Sequence, residues 1–202
     1  MSDTHTPGHH PHHDRRDPGF HVRELTAADI PEARALMLRT VAEDFGDPYD
    51  PIVHADVDDM AGWYLTPRGP FVLVAADPTT GALLATAGIR GGALKEGLSP
   101  PHLVERYRDG RTGQLVRVYV LREHRRRGIA RILIDEVLGR ARREAHYRTI
   151  ALHTFPHSPG ALPFWRSMGA EVVEDDTEGI SRALFMEIPT SRNEEPRHEQ
   201  KA

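Results

Sequence analysis

The chain has 202 residues and no cysteine. Disulfides, thiolate metal sites and a cysteine nucleophile are therefore excluded, and any group transfer must be direct or use another nucleophile. Nor is there an apolar run near the roughly 20 residues that a membrane span needs, and the N-terminus is polar where a signal peptide would have its apolar core. A cytoplasmic protein without a membrane segment is expected. An overall basic charge is missing too: the formal net charge of -4 argues against a general nucleic-acid binder. The charge is uneven, however. From Arg122 to Arg148 nine arginines face four acids, so one local basic patch sits in an otherwise acidic chain. Such a patch suits one anionic ligand and leaves a cationic substrate open elsewhere.

With 39% hydrophobic residues the chain can bury one core. Residues 1–18 are rich in Pro, Gly, Asp and His and have almost no large apolar side chain, which predicts a disordered tail. Its histidines, His5, His9, His10, His12 and His13, are not expected to form a specific metal site. Residues 190–202 are polar and read as a second tail, leaving 19–189 as the domain.

Within it, Gly19 to Leu25 alternates like a strand, and Thr26 with Asp29 forms a helix-opening pair before Ala33, Leu36, Met37 and Val41. An acidic loop from Asp44 to Asp50 leads to a helix predicted over His54 to Leu65. Phe71 to Ala76 and Ala82 to Ile89 read as a hairpin around Asp77, Pro78 and Gly81. An insertion from Gly91 to Gly113 follows, with a helical turn near Leu103 to Arg108. Gln114 to Leu121 is the clearest strand, and strict alternation would put Leu115, Arg117, Tyr119 and Leu121 on one face. From Gly128 to Ala145 the period turns helical, with Ile129, Leu133, Ile134, Val137, Leu138 and Ala141 in one stripe and Glu136 and Arg140 at pairing distance. A strand from Thr149 to Phe155, a helix from Gly160 to Met168 and strands at Glu171 to Glu174 and Arg182 to Ile188 complete a mixed α/β domain covered on both faces.

The informative stretch runs Arg125, Arg126, Arg127, Gly128, Ile129, Ala130, between a strong strand and a strong helix. A helix N-terminus offers unpaired N–H groups and partial positive charge, Gly128 admits close approach, and the arginines add charge-assisted donors. That combination suits a pyrophosphate. A solvated arginine loop accounts for the same six residues.

The surrounding pattern resembles the GNAT acetyltransferase family, whose signature R/Q-x-x-G-x-G/A lies between the fourth strand and third helix; Arg125, Gly128 and Ala130 match it. A second family pattern is similar in part to Ser158, Ala161, Phe164, Trp165, Gly169 and Ala170. The resemblance covers Gly19 to Ile188 in element order and is specific from Leu115 to Gly169. It implies a GNAT fold: a central mixed, largely antiparallel sheet, splayed at the cofactor site, with helices on both faces. It further implies that acetyl-CoA is the cofactor, with coenzyme A as product. Val118, Tyr119 and Val120 would pair with the pantetheine arm and supply the amide that stabilises the oxyanion. Arg125, Arg126, Arg127, Gly128, Ile129, Ala130 and Arg131 would hold the pyrophosphate.

Three departures stand out. Ser158 replaces the family's asparagine, Trp165 its tyrosine and Ala170 its second aromatic. Indole cannot act as a proton-donating acid, so that role is vacant or moved. A base is also needed, and His153, on the strand after the cofactor helix, is the candidate; its ordinary pKa of about 6.5 would suit proton removal near neutrality. A histidine that merely packs beside the site explains it too. His124 and His157 read as surface or cofactor-edge residues, Asp44, Asp47, Asp50, Glu105 and Tyr107 as groups that could face an amine, and Trp63 and Tyr64 as helix core. No metal site is expected. The chain thus reads as an N-acetyltransferase acting on the primary amine of a small molecule or peptide, compatible with a homodimer. The rival readings are a non-catalytic acyl-CoA sensor, which the Trp165 departure makes reasonable, and an RNA-binding module on the arginine cluster, which the net negative charge opposes.

Overall fold

A computed structural model describes residues 19–46, 48–144, 147–158 and 160–189. The tails expected at 1–18 and 190–202 lie outside the described residues, as do the N-terminal histidines and Asp47. Seven strands form one sheet in the order β1-β2-β3-β4-β5-β7-β6. These are β1 (His21–Glu24), β2 (Phe71–Ala76), β3 (Leu83–Gly91), β4 (Thr112–Val120), β5 (Thr149–Thr154), β6 (Glu171–Asp176) and β7 (Ala183–Pro189). All neighbours are antiparallel except β4 and β5, which run parallel.

Helix α1 (Ile30–Phe45) opens on the expected pair, with the Asp29 carboxylate accepting from the Thr26 amide at 2.8 Å and from Arg23 at 2.6 and 2.8 Å. It ends at Gly46, whose φ of 67° a glycine adopts without strain. Ala33, Leu36 and Met37 are buried against Leu25, Val72, Val74 and Val116 on one face of the sheet, and Val41 is buried as well. Helix α4 (Ile129–Glu144) covers the other face, where its predicted stripe packs against Leu73, Ala87, Leu115 and Leu152. Arg140, on its outer side, reaches Glu24 at 2.5 Å and lies 4.2 Å above the Phe71 ring, while Arg143 is the residue 3.7 Å from Glu136.

Two expectations need correction. The helix read over His54 to Leu65 is only a short α2 (Ala55–Asp58) and a separate π-type turn at Ala61–Leu65. At Asp59 the backbone leaves the helix (φ -125°, ψ 60°), and its carboxylate accepts from the Gly62 amide at 2.9 Å instead. The strict alternation of β4 also fails. The register slips between Thr86↔Tyr119 and Gly88↔Val116, so β4 holds one extra residue, and Arg117 sits there at φ 53°. Beyond the bulge the faces exchange: Val118 and Val120 join Leu115 on the α4 side, and Tyr119 and Leu121 join Val116 on the α1 side.

Helices α3 (Pro101–Arg106) and α5 (Ala161–Ser167) complete the domain. Leu103 and Tyr107, at the end of α3, pack on Ala151 and Phe185. No helix among the described residues is long and apolar enough to cross a membrane.

Candidate active site

Pairing of β4 with β5 stops after three residues, at Gln114↔Ala151. Past that point the strands part, and the gap opens into a cleft of about 670 Å³. Val118, Tyr119 and Val120 form one wall, and the turn after β4 with the start of α4 forms the floor. Leu121 donates its amide to Leu84 O at 3.1 Å, so the alternation of an antiparallel ladder turns the Val120 amide and carbonyl to the gap side.

The turn is held by charge. Arg125 donates from Nε to Val120 O at 2.9 Å and pairs with Asp44 at the end of α1; Arg122 donates to the same carboxylate at 2.9 Å. Burial alone would raise the Asp44 pKa, but the two guanidinium groups outweigh it and hold the group below its usual range. Asp44 thus serves as a counter-ion for the loop while its side chain also lines the cleft. Arg126 (φ 63°) and Gly128 (φ 79°) are both left-handed, and a Cβ on Gly128 would meet nothing within 4 Å. The chain therefore turns sharply there and leaves space in front of the first amides of α4.

Of the residues expected to hold a cofactor, Val118, Tyr119, Val120, Arg125, Arg126, Gly128, Ile129, Ala130, Arg131 and Ser158 all line this cleft. Arg127 does not: its guanidinium turns outward to Gly19 O at 3.3 Å and lies 3.1 Å from His124 Nδ1. The Arg131 guanidinium is engaged with Ser167 Oγ at 2.7 Å. Ser158 Oγ is the buried side-chain atom among the described residues that has no hydrogen-bond partner. A sealed, orphaned hydroxyl on a cleft wall is costly unless a ligand completes it. Together with the open glycine and the arginine-rich turn, it fits a long ligand with a polar arm and an anionic end.

Trp165 is not where a pocket-filling residue would be. It is 8% exposed, packed in the core with Leu133 and Met186, and the ring that lines the cleft is its neighbour Phe164, 5.1 Å away. His153 is not part of the cleft lining; a row of rings leads to it. Phe45 lies 6.5 Å from Tyr119 and 5.7 Å from Phe155, which lies 5.8 Å from His153. His153 is an exposed residue outside the cleft, and what crowds its imidazole is the rings of Phe155 and Phe185 at 5.8 and 6.0 Å. Desolvation first, then the charges of Arg117 and Arg90, push its pKa down to about 4. The expectation of an ordinary histidine pKa is therefore overturned.

A buried cluster that the sequence did not point to lies beside it. Asp56, 2% exposed, accepts from Arg117 Nε at 3.0 Å, from Arg117 Nη2 at 2.5 Å and from the Tyr64 hydroxyl at 2.6 Å, and Arg90 Nη1 stands 3.6 Å away. Burial would raise the Asp56 pKa, but Arg117, Tyr64 and Arg90 together bring it down to about 2. One signal was available in the sequence: Asp56, Met60 and Tyr64 recur every fourth residue, so a carboxylate falls on an apolar stripe. Of the other candidates, Tyr107 is buried with its hydroxyl donating to Glu187 at 2.8 Å, Glu105 pairs with Arg108, Asp50 accepts from the Ile52 amide at 2.7 Å, and His157 stacks 5.5 Å from Phe155. No group of three or more metal-ligating side chains is found among the described residues.

The acetyltransferase (GNAT) family model matches residues 37–170. The chain belongs to the GNAT acetyltransferase family. A search of curated proteins by sequence returns no match. Solved structures share the GNAT fold at low identity. A GNAT acetyltransferase from Staphylococcus aureus has a TM-score of 0.67 at 16% identity, covering 85% of this chain and 99% of its own. A putative acetyltransferase from Salmonella typhimurium, solved with its cofactor acetyl-CoA, gives 0.62 at 17% identity over 89% and 98%. An N-acetyltransferase from Thermoplasma acidophilum, in complex with coenzyme A, gives 0.58 at 13% identity over 84% and 98%. The splayed β4 and β5 and the turn at Gly128 fall inside the matched segment of this GNAT chain.

Proposed function

We propose that this GNAT protein transfers an acetyl group from acetyl-CoA directly to the primary amine of a small molecule or peptide. The observation that carries the reading is the gap between β4 and β5, bounded by the gap-facing backbone of Val118 to Val120, the open turn at Gly128 and the unpartnered Ser158 hydroxyl. Solved relatives with acetyl-CoA and coenzyme A support the choice of ligand.

The bound cofactor supplies an activated acyl thioester. The chain supplies the rest. The first amides of α4, with Arg126 beside them, receive the pyrophosphate at the positive end of the helix. Ser158 hydrogen-bonds to the cofactor arm. A gap-facing amide of Val118 to Val120 stabilises negative charge developing on the thioester oxygen. His153, unprotonated at neutral pH but a weaker base than an ordinary imidazole, would take the proton that an amine arriving in its neutral form sheds as the new N–C bond forms and the thioester C–S bond breaks. Trp165 delivers no proton, because it is turned into the core.

The decisive experiment combines thermal shift with turnover. Coenzyme A and acetyl-CoA should each raise the melting temperature by several degrees at millimolar concentration. Coenzyme A release can then be followed with a thiol reagent, without background from a chain that has no cysteine. Polyamines, amino acids, aminoglycosides and peptide N-termini make up the panel. Absence of any shift would refute the cofactor site. A shift without release for every amine would leave a binder that has lost its chemistry.

A further inference from the structure

The buried charged cluster beside His153 carries more positive charge than its internal bonding uses. Arg117 and Arg90 both bear on one carboxylate, Asp56. Arg117 is fully engaged with Asp56 and Val53 O. Arg90 is not. Its Nε donates to Gln114 Oε1 at 3.1 Å, its Nη1 stands 3.6 Å from Asp56, and neither terminal nitrogen makes a hydrogen bond to a described residue. Neither is sealed away, since only Ser158 has a buried orphan atom among the described residues, so these donors reach open space. The guanidinium carbon lies 5.5 Å from the centre of the Trp63 ring, within cation–π distance.

Its placement matches an acceptor. The register Arg90↔Gln114 and Gln114↔Ala151 sets these three residues in a row across the sheet, and His153 follows Ala151 on the same face. The rings of Phe155, Phe45 and Tyr119 join that face to the cleft. A planar guanidinium whose two terminal nitrogens make no hydrogen bond to a described residue, held in partly buried surroundings, is suited to two-point binding of an oxyanion.

We infer that the acceptor carries, besides its amine, a carboxylate or similar oxyanion that docks on Arg90 and turns the amine toward His153. This rests on the acetyltransferase reading and narrows its substrate class. It has a chemical consequence for the base. The charged groups acting on His153 are Arg117 on β4 and Arg90 on β3, with Asp56 behind them. An anion on Arg90 cancels one of the two positive charges, so the imidazole becomes a better proton acceptor once the acceptor is in place.

Acceptors with and without the anion, compared at equal concentrations of the free amine, test this: L-α-amino acids against their carboxamides, and β-alanine against propylamine, with saturating acetyl-CoA. The carboxylates should be favoured about tenfold or more in kcat/KM. Arg90→Gln should erase that preference through KM while the thermal shift with coenzyme A stays intact, and Arg90→Lys should restore part of it. Equal or better use of the neutral partners, or an Arg90→Gln enzyme that slows both alike, would overturn the inference. If Arg90→Gln does not fold, Arg90→Lys carries the comparison: a weakened carboxylate preference supports the inference and an unchanged one overturns it. If coenzyme A binds but no amine turns over, the transferase reading has failed by itself. Binding then decides: amino-acid carboxylates must stabilise the coenzyme A complex more than their carboxamides, and equal stabilisation overturns the inference.

Discussion

Arg117 and Asp56 meet in a two-point ion pair, 3.0 Å from Nε to Oδ2 and 2.5 Å from Nη2 to Oδ1, with side chains only 10% and 2% exposed. The arginine donates from a β-bulge and the aspartate accepts from the short helix α2, so the pair ties the segment before β2 to the strand that forms the cleft. Breaking a buried pair leaves an uncompensated charge. Asp56→Asn should cost about 3–5 kcal/mol of unfolding free energy. Chemical denaturation would measure it, and a loss below about 1 kcal/mol would mean that water already screens Arg117.

The same carboxylate fixes a pH dependence. With its folded pKa at about 2, below its ordinary value near 3.8, Asp56 stabilises the fold above pH 4 and loses that contribution as pH falls toward 2. His153 acts in the same direction at higher pH. Its folded pKa is depressed, so the unfolded chain takes up a proton first, and stability declines as pH falls through about 6.5 toward 4. NMR titration of the imidazole should give a midpoint below 5, and Arg90→Gln should raise it by removing a like charge. A midpoint near 6.5 in the parent protein would contradict the crowding of the imidazole.

Ser158→Ala should have effects of opposite kind in the free and bound protein. Without ligand no hydrogen bond is lost, and an orphaned hydroxyl is removed, so stability should be unchanged or slightly higher. Affinity for coenzyme A should fall by about 3- to 10-fold, the worth of one hydrogen bond. Calorimetric titration and melting temperature together separate the two. A destabilised free protein would show that the hydroxyl already has a partner.

At Gly128 two substitutions separate backbone strain from ligand exclusion. Gly128→Ala meets no steric obstacle, yet imposes a left-handed φ of 79° on an L-residue, at about 1 kcal/mol. Gly128→Glu adds a negative side chain at the helix end and should abolish the thermal shift with coenzyme A. A glutamate variant that kept the full shift would move the anionic end of the ligand elsewhere.

The legible parts of the sequence were those fixed by local periodicity. The stripe of α4 and the turn from Arg125 to Gly128 could be placed because each feature repeats or clusters within a few residues. The bulge could not, because a left-handed arginine has no sequence marker as a glycine would, and one extra residue reversed the faces assigned to Tyr119 and Val118. The cluster of Asp56, Tyr64, Arg90 and Arg117 draws on three separate stretches, the segment from Asp56 to Tyr64, β3 and β4, which meet only in the folded chain. The lowered pKa of His153 was out of reach for the same reason, since desolvation by its neighbours comes first and the charges that add to it come from β3 and β4.

The parting of β4 from β5 gives one strand two rates of amide exchange. Amides turned to β3, such as that of Leu121, sit in a ladder and should exchange slowly, by local opening alone. Those of Val118 and Val120, turned to the gap, lack a strand partner beyond Gln114↔Ala151 and should exchange fast. Deuterium uptake along Val118 to Leu121 should therefore alternate residue by residue in the free protein. A ligand lodged in the gap should remove the alternation by slowing every second amide.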